Sequence, residues 1–410
     1  MTAVPRGGAP FWPLMLGFAF SSFSWNVCTP FLPLRVRELT GGDLGEIARQ
    51  AGFIIGLSGI LNASLAPAWS WVGARFGYRR QVLRAHFGTA IGFGLYGLAP
   101  TTGHMAGAAL VLGGMSGTYP HYVALAASRA AVGDVGRAVG DLQAASQVGN
   151  ALGPLVGGLV ASQLGVQFTF FVTAALSMVA GVMALRFIPS DANRASAASA
   201  SESVEAPHEG LGAAFRRPGL RWLMALLLVA DAPIIGLRPL IPVMLSARIA
   251  DPALLAVTTG IASTLATGGT IVAALAVGRL NRRISPGRIL MFSLPVTAAL
   301  VILLPFAPSV PVLVALWTCA GMAAGATSPS AFAWLGRVVA GQGRGGAAYS
   351  LLASTSMGAF AIGPIVMGQV TAASLLVPFF LAALCATTAA AAAFAALSRE
   401  RAPASGRAAA

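Results

Sequence analysis

The sequence predicts an all-α membrane protein with 12 transmembrane helices in two pseudo-symmetric six-helix bundles. Three observations predict this fold class: an apolar composition, an uneven distribution of arginines between loops, and landmarks that repeat in the two halves. Of 410 residues, 56% are hydrophobic and 9% are charged, whereas soluble domains carry about 25% charged residues. The mean hydropathy of +0.78 is typical of a chain surrounded mostly by lipid.

Apolar runs of roughly 20 residues, the length that crosses about 30 Å of hydrocarbon as a helix, fill most of the chain. The first run is interpreted as an uncleaved span and not as a signal peptide, because it contains Asn26 and Pro30 and similar runs follow it. The predicted spans are 12–34, 47–70, 82–100, 105–128, 140–163, 166–188, 220–246, 255–279, 288–307, 310–335, 345–370 and 374–397.

The arginines test this count of spans. The net charge is +14 and the chain contains no Lys. Twelve spans place 21 of the 26 basic residues on one side of the membrane, including Arg75, Arg79, Arg80 and Arg84 after the second span. The positive-inside rule then predicts a multi-pass protein of the cell inner (plasma) membrane with both termini in the cytoplasm. Arginines spread between spans also argue against nucleic-acid binding.

The two halves are separated by a polar stretch at 189–219, rich in Ser and Ala, which predicts a flexible cytoplasmic linker. The predicted organisation is therefore an N-terminal six-helix bundle at 1–188, the linker at 189–219, a C-terminal six-helix bundle at 220–397 and a cytoplasmic tail at 398–410. Duplicated six-helix halves are typical of transporters that hold substrate near the membrane midplane.

Two landmarks repeat at nearly one offset. Arg75 and Arg283 follow the second and eighth spans and are 208 residues apart. Gly-Pro pairs stand in spans five and eleven, at 153–154 and 363–364, 210 residues apart. Two independent landmarks at one offset indicate an internal duplication.

Span five carries a glycine pattern of the form G-x8-G-x3-G-P-x2-G-G. Glycines spaced by four residues share one helical face and allow another helix to approach closely. The proline bends the helix because it removes a backbone donor. The residues of the pattern are Gly140, Gly149, Gly153, Pro154, Gly157 and Gly158.

This pattern resembles the antiporter motif of the major facilitator superfamily, in its 12-helix bacterial drug:proton antiporter (multidrug efflux) branch. The sequence PFLPL at 30–34 and the Gly-Pro pair of span eleven resemble the same branch, so the likeness covers essentially the whole chain. The resemblance implies the major facilitator fold, whose central cavity opens alternately to each side. It also implies that the glycine face of span five packs against a helix of the other bundle and limits leak.

The loop after span two resembles the superfamily's signature loop, roughly G-x-L-A-D-R-x-G-R-R. Arg75, Gly77 and Arg79 fit the pattern, but Ala74 stands where the family has Asp. Ala109 stands where the branch often carries an intramembrane Arg in span four. These departures put proton coupling in doubt, and the loop arginines could serve topology and lipid headgroups as well as gating.

Ionisable groups at membrane depth are the candidates for proton coupling, because a charge there is costly unless it faces a cavity or a partner. Asp231 lies near the middle of span seven, and Arg238 lies seven residues further along the same span. His121 in span four is the second candidate, since histidine titrates near neutral pH. A structural ion pair at Asp231 and a packing role for His121 are the alternatives.

The candidates for lining the substrate cavity are mostly uncharged polar residues of spans one and five, together with Arg238. Gln143, Gln147 and Asn150 share one helical face because they are spaced by four and three residues. Asn26 and Trp25 lie on span one. Further aromatic residues, Phe18, Trp317 and Trp334, could add cavity walls or pack as ordinary membrane aromatics.

Together these features predict a secondary active transporter that exports small, largely apolar molecules, as in drug or metabolite efflux, by proton antiport with alternating access. The alternative is a proton symporter or facilitator for a nutrient or metabolite. A membrane enzyme is not favoured, because the sequence has no nucleophile–base pair, cofactor loop or P-loop. Isolated cysteines at 28, 319 and 385 indicate neither disulfides nor a metal site. The expected partners are the substrate, protons and the lipid bilayer, with no cofactor and a monomeric chain.

Overall fold

A computed structural model of the chain describes residues 11–129, 135–188, 215–338 and 346–401. These ranges form helices and contain no strand. Residues 189–214 of the predicted linker and 402–410 of the predicted tail lie outside the described residues. The helices are α1 (Trp12–Cys28), α2 (Leu32–Thr40), α3 (Leu44–Phe76), α4 (Tyr78–Leu98), α5 (Thr102–Met115), α6 (Thr118–Arg129), α7 (Val135–Leu164), α8 (Val166–Phe187), α9 (Pro218–Leu237), α10 (Leu240–Ser246), α11 (Pro252–Leu280), α12 (Pro286–Leu303), α13 (Val310–Ala324), α14 (Thr327–Val338), α15 (Gly346–Ala373) and α16 (Val377–Arg401).

Each of the twelve predicted spans corresponds to one helix or to a pair of helices separated by a break. In the described part of the chain, eight helical stretches are long and apolar enough to cross a membrane on those criteria alone. The remaining four predicted spans are α1–α2, α4, α5–α6 and α7. Large apolar side chains point outward, as Leu98 and Phe292 do with 68% of their surface exposed. An apolar exterior of this kind suits lipid and not water.

Spans one, four, seven and ten are the broken ones. A 3₁₀ turn at Thr29–Phe31 separates α1 from α2, and two-residue interruptions separate α5 from α6, α9 from α10 and α13 from α14. Pro30 and Pro239 lie at the breaks of spans one and seven, where proline cannot donate to the helical ladder. At the break of span four, Gly117 has a φ of +100°, which residues with a Cβ rarely adopt.

The described residues divide into two compact units. The first falls within Met1–Pro207 and Arg238–Leu265, and the second within His208–Leu237 and Ala266–Ala410. The segment Arg238–Leu265 thus groups with the first half although it follows the linker in sequence. The predicted bundle boundaries at 1–188 and 220–397 stay a prediction.

Each unit has its own buried core. The core of the first unit includes Leu14, Phe18, Tyr122 and Leu142, contributed by α1, α6 and α7. In the second unit, a larger cluster joins α9, α12, α14, α15 and α16 and includes Leu227, Leu290 and Trp334. Helices α1 and α7 thus share the first core, and helices α9 and α15 share the second.

Candidate functional site

The glycine face of α7 lies directly on the backbone of α1. A Cβ added at Gly153 would come 2.7 Å from the carbonyl oxygen of Phe23. At Gly149 and Gly157 it would collide with the carbonyl oxygens of Ala19 and Val27, respectively. Only residues without a side chain permit such an approach. Gly140, at the start of the motif, has nothing within 4 Å of an added Cβ.

The motif packs against two helices, one in its own half and one that follows the linker in sequence, and the resemblance implied the second of these. Gly149, Gly153 and Gly157 pack against α1, which belongs to the same six-helix half as α7. Gly158 does meet a helix that follows the linker, since its Cβ would lie 3.0 Å from the carbonyl oxygen of Ala256 on α11. One residue turns an α-helix by about 100°, so Gly157 and Gly158 face different neighbours.

Polar side chains form a hydrogen-bonded amide chain along the α1–α7 contact. Asn26 Nδ2 donates to Asn150 Oδ1 at 2.9 Å and to the carbonyl oxygen of Ser22 at 2.9 Å. Asn150 Nδ2 donates in turn to Gln147 Oε1 at 2.7 Å. Three predicted cavity residues, Asn26, Gln147 and Asn150, are thus brought together, and all three are half-buried.

The other predicted cavity residues have different neighbours. Gln143 Nε2 donates to the Tyr119 hydroxyl of α6 at 3.1 Å. Trp25 packs edge-on against Phe93 of α4, with 5.1 Å between ring centroids. The further aromatic candidates Phe18, Trp317 and Trp334 are buried, and they act as core residues in this structure.

Asp231 lies on α9 and accepts a hydrogen bond from Ser328 Oγ of α14 at 2.9 Å. Its side chain is half-buried. The contact joins spans seven and ten within the second unit. Arg238 stands at the break between α9 and α10 with an exposed side chain, in the first unit.

His121 is buried on α6, and Arg84 of α4 lies beside it, with 3.2 Å between Arg84 Nη2 and His121 Nε2. The sequence led us to place Arg84 among the loop arginines. In the structure it is half-buried inside span three and points toward the break of span four. One sequence feature could have indicated this inward placement: Arg84 is the third residue of the predicted span 82–100. Because the arginine side chain is long and flexible, its guanidinium can extend to the membrane surface or turn into the protein.

The signature loop is a tight connection between α3 and α4. Gly77, with a φ of +98°, ends α3 and lets α4 begin at Tyr78. Arg79 donates to the carbonyl oxygen of Leu185 at 2.5 Å, near the end of α8, where a cation suits the helix dipole. Arg75 lies over the rings of Trp71 and Phe76. Ala74 is exposed, and Ala109 is fully buried on α5.

No cluster of three or more His, Cys, Asp or Glu residues that could hold a metal ion occurs among the described residues. The three cysteines are free, and they differ in environment: Cys28 is buried and Cys319 is exposed. The candidate site is thus made of uncharged polar groups on α1 and α7, the Asp231–Ser328 pair and the Arg84–His121 pair.

Comparison with known proteins places these features in a wider group. The chain matches the family model of the Major Facilitator Superfamily over residues 14–256 and 237–410. It is 25% identical to the MFS-type transporter YuxJ of Bacillus subtilis over 310 residues, which are 76% of this chain and 78% of that protein. It is 26% identical to the multidrug resistance protein MdtG of Salmonella typhimurium over 316 residues, 77% of both chains.

Solved structures show the same fold. The nucleoside transporter NupG superposes with a TM-score of 0.75 at 15% identity, over 96% of this chain and 99% of that one. A bacterial homolog of the human lysosomal transporter Spinster, in an inward-facing and occupied conformation, superposes with a TM-score of 0.70 at 14% identity, over 95% and 96%.

Proposed function

Since the chain belongs to the Major Facilitator Superfamily, and is therefore a membrane-spanning transporter of small molecules and not an enzyme, we propose that it exports small, largely apolar molecules by proton antiport. The observation that carries this proposal is the α1–α7 contact. There the glycines of the antiporter motif lie against the backbone of α1, and the hydrogen-bonded amide side chains of Asn26 and Asn150 lie beside them. The MdtG relatives, named as multidrug resistance proteins, support the same substrate class.

The chemistry of this contact suits a largely apolar substrate. Ligand pockets for such molecules are mostly apolar and contain a few well-placed polar groups. Asn26, Asn150 and Gln147 supply uncharged donors and acceptors whose geometry is already fixed by their mutual hydrogen bonds. Backbone contact between α1 and α7 lets the two helices move as one body during alternating access.

Asp231 is the proposed coupling group. A carboxylate at this depth is costly as an anion, and here it is stabilised by a hydrogen bond from Ser328. Proton binding removes the charge and changes the contact between spans seven and ten. The proposed cycle alternates proton entry to Asp231 from outside with substrate release.

The proposed setting is the inner membrane, with both termini in the cytoplasm and a single chain as the working unit. The support for the orientation is the distribution of arginines, which favours one side of the predicted spans.

A second candidate is a proton symporter or facilitator for a nutrient or metabolite. Two residues favour it: Ala74 and Ala109 stand where the drug:proton branch carries Asp and Arg. The two candidates differ in the direction of proton-driven transport.

The experiment begins with a toxicity screen in a host stripped of its own efflux pumps, which supplies a compound that the protein acts on. That compound is then offered to everted membrane vesicles energised to be acidic inside. A proton antiporter accumulates it inside the vesicles, and the accumulation disappears when nigericin collapses the gradient. Gradient-driven loss from preloaded vesicles would instead identify a symporter and overturn the proposal.

A further inference from the structure

The break in span four is bridged by an arginine from a neighbouring span. The α5 helix ends at Met115, and α6 starts at Thr118, so carbonyl groups at the end of α5 lack helical partners. Arg84 Nη1 lies 3.4 Å from the Gly114 carbonyl oxygen, and Nη2 lies 3.3 Å from that of Ser116. A cation at a helix C-terminus is also favoured by the helix dipole.

The same guanidinium is held from a third helix. It stacks over the ring of Trp69 on α3 at 3.7 Å from the centroid, which is a favourable cation–π geometry. Trp69 Nε1 donates to the Gly114 carbonyl oxygen at 2.9 Å. Arg84 is thus contacted by two backbone carbonyls, an indole and an imidazole.

His121 completes this arrangement from the α6 side of the break. A guanidinium can only donate hydrogen bonds, so His121 Nε2, 3.2 Å from Arg84 Nη2, must be the acceptor. The imidazole is therefore neutral in this conformation. Protonation would place an N–H⁺ group against a second cation and remove the acceptor.

We propose that Arg84 and His121 form a second proton-binding site, separate from Asp231, that latches the broken fourth span to α3 and α4. With His121 neutral, Arg84 bridges the break and the latch is closed. Proton binding to His121 expels the guanidinium from this position, so the Ser116 carbonyl loses this donor while the Gly114 carbonyl keeps Trp69 Nε1. The proposal goes beyond substrate and direction of transport, since it concerns how protons act on one span.

Other ionisable groups lie on the elements that pack against α6. His86 of α4 is engaged by the Tyr122 hydroxyl at 2.9 Å, and Tyr119 is engaged by Gln143. Of the ionisable groups near the break, Arg84 lies within hydrogen-bond distance of His121. The remaining ones on these elements are Cys28 of α1; Glu46, Arg49 and Arg75 of α3; Tyr78, Arg79, Arg80 and Tyr96 of α4; and Arg137 and Asp141 of α7.

The test measures opening of the break without any substrate. Ser116 is buried, so a Ser116→Cys variant lacking the native cysteines should react slowly with a methanethiosulfonate reagent while the latch is closed. Its rate in proteoliposomes is divided by that of a variant whose single cysteine replaces the exposed Gly42 in the loop between α2 and α3, which corrects for thiol ionisation. We expect the ratio to rise about fivefold or more from pH 8 to pH 5.5, because an imidazole released from the latch binds a proton in this range and so favours the open state.

Four further variants decide the result. His121→Gln keeps an acceptor for Arg84 but cannot bind a proton, so its ratio should stay low at both pH values. His104→Gln, which alters an exposed histidine of α5, and Asp231→Asn should both keep the wild-type pH response. Arg84→Gln should react quickly at both pH values.

A pH response that survives His121→Gln, or a flat response in the unmutated background, would overturn the latch. Loss of the response in Asp231→Asn would place proton sensing at Asp231 and overturn the separate site. Because transport is not measured, an error in the proposed direction or substrate leaves this outcome unaffected.

Discussion

In the first half of the chain, spans one and four meet through two hydroxyls, with Ser21 Oγ donating to Thr118 Oγ1 at 3.1 Å. In the second half, spans seven and ten meet through a hydroxyl and a carboxylate, with Ser328 Oγ donating to Asp231 at 2.9 Å. Both contacts join the first helix of the earlier span to the start of the helix after the break in the later span. Adjacent positions at the corresponding breaks therefore hold a neutral pair in one half and a pair with a titratable carboxylate in the other.

The equivalence follows from the sequence positions of the breaks. Pro30 and Pro239 are 209 residues apart, and so are Thr118 and Thr327, the first residues after the breaks in spans four and ten. At this offset Ser22 corresponds to Asp231, and His121 corresponds to Ser330. The duplicated halves thus share their helix breaks, but each carries its own titratable group where the other has a serine.

The close-packed helix pairs make a second comparison. On α7, three glycines face α1, whereas in the second half Gly363 of α15 faces Gly236 of α9. An added Cβ at Gly363 would collide with the carbonyl oxygen of Ala232. Both pairs reach backbone contact, but the first places all its glycines on one helix and the second places one on each.

The largest effect should come from filling these contacts. Gly157→Ala and Gly363→Ala each force a methyl group against a backbone carbonyl, and we expect a loss of about 1–3 kcal/mol of stability because overpacked cores must shift. Thermal unfolding in detergent and transport in vesicles measure the loss.

Matched controls lie on the same two helices. Gly140 of α7 and Gly358 of α15 have nothing within 4 Å of an added Cβ, so Gly140→Ala and Gly358→Ala should match the unmutated protein. Equal behaviour of all four variants would show that the two helix pairs do not depend on backbone contact.

The next effect concerns the carboxylate that distinguishes the second half. Asp231→Asn keeps the shape and an acceptor for Ser328 but cannot exchange a proton, so proton-driven transport should fall to the level of empty vesicles. Substrate exchange without a gradient should continue, because it does not require a proton to move. Normal gradient-driven transport by this variant would remove Asp231 from the coupling role.

The sequence was sufficient for the twelve spans, because span length and hydropathy are local properties. It also predicted that Gln143, Gln147 and Asn150 share one face of span five, because helical spacing fixes which residues of a helix lie together. It did not predict that Asn26 of span one lies against Asn150. It did not predict the partner of Gly149, Gly153 and Gly157, since a small-residue face permits close approach but does not specify to which helix.

The direction of Arg84 was missed for a related reason. A long charged side chain at the end of a span can extend to the interface or turn inward, and the loop beside it contains Arg79 and Arg80. The Trp69 ring and the break at Gly117, which hold Arg84 in the structure, are distant from it in sequence.

The smallest effect should come from the hydroxyls themselves. Ser328→Ala removes the donor that stabilises the Asp231 anion, and a hydrogen bond inside a membrane protein averages about 0.6 kcal/mol. The pH of half-maximal proton-driven transport should then rise by about half a unit, because 1.36 kcal/mol corresponds to one unit. Ser21→Ala breaks the contact with Thr118 at the corresponding break of the first half, where both partners are neutral, so its pH midpoint should stay unchanged. Equal shifts in the two variants would mean that the halves differ in charge without differing in function.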